Sequence, residues 1–147
     1  MRLYLDNCAF NRPFDDQSYI RIRLETEAKL YIQSQIKEGI LELAWSYMLD
    51  LENAQNPFND RRIAIKKWVD FCKIDIIETP ALLEKATKLL AFGIKPKDAL
   101  HIAAAIEANA DYFLTTDDKL LNKTDKIMDI KLINPIEFVR VLDDYDN

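Results

Sequence analysis

Met1-Arg2-Leu3-Tyr4-Leu5-Asp6 is the stretch from which the fold is read. Its alternating apolar residues Leu3 and Leu5 predict a buried β-strand that ends at Asp6. In open parallel α/β sheets the ligand crevice lies outside the carboxyl ends of the strands, so a carboxylate on the tip of a first strand stands at its rim. Beyond it, strand and helix signals alternate. The turn-rich segment 7–17 leads to Ser18, which is expected to cap a long helix with the apolar stripe Ile20, Leu24, Ala28, Ile32 and Ile36, closed by Gly39. Ile40 to Trp45 reads as a second strand, followed by a short helix from Ser46 that carries Glu52 and stops before Asn56-Pro57. Asn59 is expected to cap a helix over 60–72 with Ile63, Ala64, Trp68 and Phe71 inward, and Ile74 to Ile77 reads as a third strand. Pro80 and Pro96 open two further helices, the first with Leu82, Leu83, Ala86, Leu89 and Leu90 buried and the second, over 97–109, rich in alanine. Tyr112 to Thr115 and Ile130 to Ile133 supply the last strands, Pro135 starts a final helix to Val141, and 143–147 is expected to fray. This alternation predicts one domain over 1–147, a three-layer α/β/α arrangement around a five-stranded, mainly parallel sheet.

Composition narrows the function. A chain of 147 residues buries about 70% of the surface it exposes when unfolded, so one core suffices. The two cysteines, Cys8 and Cys72, are too few for a disulfide framework and read as reduced thiols, which points to the cytoplasm. No apolar run approaches the roughly 18 residues of a membrane span, and Arg2 with its short apolar follow-on does not resemble a signal peptide. A net charge of −5 argues against a broadly basic nucleic-acid-coating surface. With only Gly39 and Gly93 there is no glycine-rich phosphate cradle, and with only His101 there is no multi-histidine metal site. Carboxylate is what remains abundant.

Three acids join Asp6 at the same rim: Glu52 on the helix after the second strand, Asp98 in the first turn of the alanine-rich helix, and Asp117 directly after the fourth strand. Two carboxylates about 4 Å apart repel by roughly 4 kcal/mol at an effective dielectric near 20, so four converging acids require neutralisation. A divalent cation provides it, and oxygen donors favour Mg²⁺ or Mn²⁺. Each acid also has a plainer reading. Asp6 is placed to cap the following loop, Asp50 competes with Glu52, Asp98 suits a helix N-terminus for dipole reasons, and Asp118 competes with Asp117. His101 reads as a helix-packing residue, and Trp45 and Trp68 as core or interface.

The motifs Arg2-Leu3-Tyr4-Leu5-Asp6, Ser46 to Glu52, Asp98-Ala99-Leu100-His101-Ile102-Ala103-Ala104-Ala105 and Leu114-Thr115-Thr116-Asp117, in this order and spacing, resemble the PIN-domain family of metal-dependent ribonucleases, in particular its VapC-type toxins. The resemblance spans nearly the whole chain. It implies that Asp6, Asp98 and Asp117 ligate the metal, that Glu52 completes the acidic quartet, and that Thr116 and Asn7 support it. The family's first motif usually continues after the aspartate with a small hydroxyl residue and then Asn or Ser, whereas here Asn7 and Cys8 follow Asp6. It implies a PIN-like fold, hydrolysis of RNA phosphodiesters by a metal-activated water, a small antitoxin partner and a homodimer. Arg12, Lys95, Lys97 and Lys119 flank the motifs and are the expected basic approach for phosphate. The alternative is a degenerate PIN domain that binds protein or RNA without cleaving. A haloacid-dehalogenase-type phosphatase would need a second aspartate where Cys8 stands, and a receiver domain would need one where Glu78-Thr79-Pro80 ends the third strand.

Overall fold

Five parallel strands, ordered β3-β2-β1-β4-β5, form the centre of the computed structural model, which describes residues 1–146. They are β1 (Arg2–Leu5), β2 (Glu42–Ser46), β3 (Cys72–Ile76), β4 (Tyr112–Leu114) and β5 (Lys131–Ile133). As the middle strand, β1 is covered on both faces, which is why Leu3, Tyr4 and Leu5 are all fully buried rather than alternating in and out. The chain moves outward from β1 to β3 in one direction and then crosses back to β4 and β5. Right-handed crossovers therefore put the helices between β1 and β3 on one face and those between β3 and β5 on the other, making three layers, and the final helix after β5 returns to pack against the long helix that follows β1. The reversal falls between β1 and β4, whose carboxyl ends frame the crevice.

Eight helices complete the described chain: α1 (Asn7–Asn11), α2 (Ile20–Lys37), α3 (Tyr47–Ala54), α4 (Asn59–Lys66), α5 (Pro80–Leu90), α6 (Pro96–Glu107), α7 (Asp118–Leu121) and α8 (Pro135–Asp146). The expected proline starts, Ser46 as the cap of α3, and the left-handed stops at Gly39 and Gly93, both at φ 78°, are all present. The alanines of α6 explain its close docking: Ala99, Ala103, Ala104 and Ala105 have almost no exposure because the helix is packed on more than one side, by α5 as well as by β2 and β4 of the sheet.

Several local expectations fail for identifiable reasons. The segment 7–17 contains α1 and a 3-10 turn at Arg12–Phe14, and Ser18 does not cap α2, which begins at Ile20 after Tyr19 without a side-chain cap. In α2, Ala28, Ile32 and Ile36 are buried, but Ile20 and Leu24 are 59% and 51% exposed. A line of i, i+4 positions drifts by about 40° per step, so its far end turns away from the sheet. Glu25 and Lys29 take the inward positions there. The expected 60–72 helix ends at Lys66, tightens into a 3-10 segment at Lys67–Phe71 and gives Cys72 to β3. Within α4 it is Ile65 that is buried and Ile63 that is exposed, and Phe71 at the end of the 3-10 segment is exposed as well. In α5, Leu83 and Leu90 are half-exposed beside the buried Leu82, Ala86 and Leu89. Helix α8 runs to Asp146 rather than stopping at Val141, and Asn147 of the expected frayed end lies outside the described residues. Trp45 is core, Trp68 is partly buried, and both cysteines are free thiols.

Candidate active site

Asp6 sits where β1 stops, its backbone N–H still donating to Leu114 of β4 at 2.9 Å. Its side chain caps α1 by accepting from the Asn7 N–H at 2.8 Å, so the capping reading of Asp6 holds together with its place at the rim. The other oxygen, Oδ2, accepts from the Thr115 hydroxyl at 2.9 Å and from the Cys8 thiol at 3.4 Å. Burial, together with the adjacent Asp6, pushes the Cys8 thiol up to about 12, so it keeps its proton and serves as a donor. The cysteine thus does what a hydroxyl would do at that position. In turn the Cys8 sulfur accepts from the Thr116 N–H, and the Thr115 oxygen accepts from the Asp117 N–H. Thr116, expected to support the acids, contributes its backbone; the hydroxyl that does so is that of Thr115.

Asp117 caps α7, accepting from the N–H groups of Lys119 at 3.0 Å and Leu120 at 3.4 Å. Its rival Asp118 turns outward into a two-pronged pair with Arg21, both contacts 2.6 Å. Glu52 accepts from His101 Nε2 at 2.7 Å, whereas its rival Asp50 is engaged by Trp45 Nε1 and Lys66. Asp98 lies in the first turn of α6, so Asp6, Asp98 and Asp117 each stand at a helix N-terminus whose dipole partly offsets their charge.

The electrostatics show which acids meet. Burial, then Asp6 and Asp117, raise the Asp98 carboxyl to about 6, with Glu52 adding to the effect. Burial also raises Asp6. Glu52 goes the other way: burial pushes it up, but the His101 hydrogen bond and the charge of Lys97 outweigh that and leave it below its ordinary value. The four sequence-derived acids therefore share one field. Of the expected basic residues, Lys97 reaches that field and Lys95 and Lys119 are exposed beside it, but Arg12 does not take part as expected. Its guanidinium is bound to Glu25 at 2.9 Å and Asp15 at 3.0 Å, a strut that fixes the loop after α1.

Among the described residues, no three His, Cys, Asp or Glu side chains form a preassembled metal-holding group. The donor chemistry nevertheless suits a hard divalent ion. Carboxylates that raise one another's proton affinity are joined by Asn7, whose buried Oδ1 has no partner and whose side chain neighbours Glu52. Asp6, Asp98, Asp117, Glu52 and Asn7 supply oxygen donors of the kind such an ion takes.

The family model for the PIN domain matches residues 3–127. The chain belongs to the PIN-domain family. PIN domains are generally nucleases, and those nucleases generally use divalent metal ions. A chain of similar fold occurs in the crystal structure of VapBC2 from Rickettsia felis bound to a DNA fragment from their promoter, with TM-score 0.57, 16% identity, and coverage of 91% of this PIN domain and 98% of that chain. No curated protein matches the sequence at a significant level. No helix among the described residues is long and apolar enough to cross a membrane.

Tyr4, Ser46, Thr115 and His101 are site residues that sequence reasoning did not assign to the site. The signals were present for two of them. His101 follows Asp98 by three residues and so shares its helix face, and Thr115 adjoins Thr116 one register position earlier.

Proposed function

We propose that this PIN domain is a Mg²⁺- or Mn²⁺-dependent endoribonuclease that acts as the VapC-type toxin of a type II toxin-antitoxin pair in the cytoplasm. The observation that carries the reading is the convergence of Asp6, Glu52, Asp98 and Asp117 in one field at the β1/β4 crevice, with Asp98 raised by burial and then by the other three. Asp6, Asp98 and Asp117 would hold the ion, with Glu52 completing the set. When bound, the ion supplies an activated water and stabilises the leaving oxygen of a phosphodiester.

The chain's own residues do the positioning. Thr115 and Cys8 fix Asp6, the α7 amides fix Asp117, and His101 fixes Glu52. Lys95, Lys97 and Lys119 offset the repulsion between phosphates and carboxylates on approach. The degenerate-module reading rested on Cys8, and the thiol's donation to Asp6 removes its support. The likeness to the VapBC2 chain supports a small antitoxin partner and a nucleic-acid-linked role. A homodimer is part of the same proposal, and a clean monomer by size-exclusion chromatography with light scattering would count against it.

The test is incubation of the purified chain with structured and unstructured RNA, in Mn²⁺ or in EDTA, beside Asp98→Asn. Cleavage is expected from the wild type with metal alone. Cleavage that persists in EDTA or in the variant would place the activity elsewhere, and none with any RNA would favour a binding module.

A further inference from the structure

We infer that Ser46, Tyr4 and His101 form a buried hydrogen-bond chain whose task is to hold Glu52 at the crevice, with His101 a positioning residue and not a base. The role of Glu52 rests on the nuclease reading above; the chain itself rests on geometry. It runs from Ser46 Oγ to the Tyr4 hydroxyl at 2.6 Å, from there to His101 Nδ1 at 2.6 Å, and from His101 Nε2 to Glu52 at 2.7 Å. Ser46, Tyr4 and His101 are all 0% exposed, so no solvent substitutes for a missing partner.

Proton counting fixes the direction of every link. The Glu52 carboxylate can only accept, so His101 Nε2 carries a hydrogen. The Ser46 oxygen already accepts from the Met48 N–H at 3.2 Å. With Nδ1 unprotonated, Tyr4 donates to Nδ1, Ser46 donates to the Tyr4 oxygen, and every hydrogen has an acceptor. With Nδ1 protonated, Tyr4 must turn and donate to Ser46, whose own hydrogen is then stranded in the core. Such a stranded donor is what buried networks avoid. Both ring nitrogens are therefore spoken for, and neither is free to take a proton from water or substrate.

Packing holds the links in place. The Tyr4 ring stacks on Phe113 at 5.4 Å and 9° and meets the His101 ring edge-on at 5.7 Å. The chain joins β1, the end of β2, α6 and α3. Because Asp98 lies one turn before His101 on α6, the helix that presents one acid also sets the position of another.

His101 is the single histidine, so isotopic labelling of histidine nitrogen yields one imidazole in the spectrum. In the metal-free, RNA-free wild type the ring is expected to be protonated at Nε2 and unprotonated at Nδ1. A ring protonated at Nδ1, or one exchanging between tautomers, would overturn the inference. Tyr4→Phe keeps the ring stack and removes the donor; it should release the tautomer and lower the kcat of RNA cleavage about tenfold with KM unchanged. His101→Gln keeps an N–H for Glu52 and should retain more activity than His101→Leu, and equal losses in the two would also overturn the inference. The tautomer measurement needs neither RNA nor metal. A fixed Nε2–H ring in a protein that cleaves no RNA would sink the nuclease reading and leave the hydrogen-bond chain standing.

Discussion

Asp98→Asn is expected to make the metal-free protein more stable at neutral pH. Burial, Asp6 and Asp117 raise this carboxyl from 3.8 to about 6. Roughly two units at about 1.4 kcal/mol each give a ceiling of about 3 kcal/mol. Asp98 is only half-buried, and solvent screening cuts that to about 1–2 kcal/mol. Losing a negative charge from the first turn of α6 takes back about 0.5 kcal/mol. The net gain is about 1 kcal/mol, or a Tm rise of about 2–4 °C for a chain of this length. The sign with pH is set by linkage. A carboxyl whose folded pKa lies above its unfolded one makes the folded state bind more protons between about pH 4 and pH 6, so wild-type stability falls as pH rises through that window. The variant lacks that fall. Thermal and urea unfolding of both proteins in EDTA, from about pH 4 to pH 8, should show their difference growing across the window and level above it. A variant less stable than wild type at neutral pH, or an offset equal at both ends, would refute a shared field among the acids.

Two further perturbations test the frame around the site. Burial lowers the Lys29 ammonium from 10.5 to about 7, and the nearby Phe10 and Trp68 rings return only part of that cost, so Lys29→Met should stabilise the fold by about 2 kcal/mol near pH 6. The unfolded lysine binds the extra proton between about pH 7 and pH 10, so the variant's advantage should shrink over that window; an advantage constant with pH would contradict the assignment. Glu25→Ala removes a fully buried carboxylate that pairs with Arg12 and Arg21 and accepts from Asn134, and should cost about 3 kcal/mol in urea unfolding. A cost under about 1 kcal/mol would mean that the loop after α1 is held by other contacts.

The fold was legible wherever local chemistry and tertiary packing agreed. Leu3 and Leu5 before Asp6, prolines at the starts of α5 and α6, Ser46 before α3 and glycines after α2 and α5 each specify one conformation. It was illegible where burial rested on partners distant in sequence. Glu25 is inside because Arg12, Arg21 and Asn134 satisfy it, and no periodicity in α2 announces that. Arg12 reads from sequence as a free cation beside a motif, and only the fold shows that Glu25 and Asp15 engage it. Three of the rim acids, Asp6, Asp98 and Asp117, were visible because strand ends and helix starts are local features. Their supports were not: Thr115 and Thr116 differ only in which one directs its hydroxyl at Asp6, and His101 gains its role from Tyr4, 97 positions away.

If these acids bind a divalent ion as a group, thermal unfolding must depend on the metal. Saturating Mg²⁺ or Mn²⁺ stabilises a protein that binds it only when folded, by about 2.7 kcal/mol at a hundredfold excess over Kd. The wild type should therefore gain several degrees in Tm, while Asp6→Asn and Asp98→Asn stay folded and show no gain. An equal rise in all three proteins would place the ion away from Asp6 and Asp98.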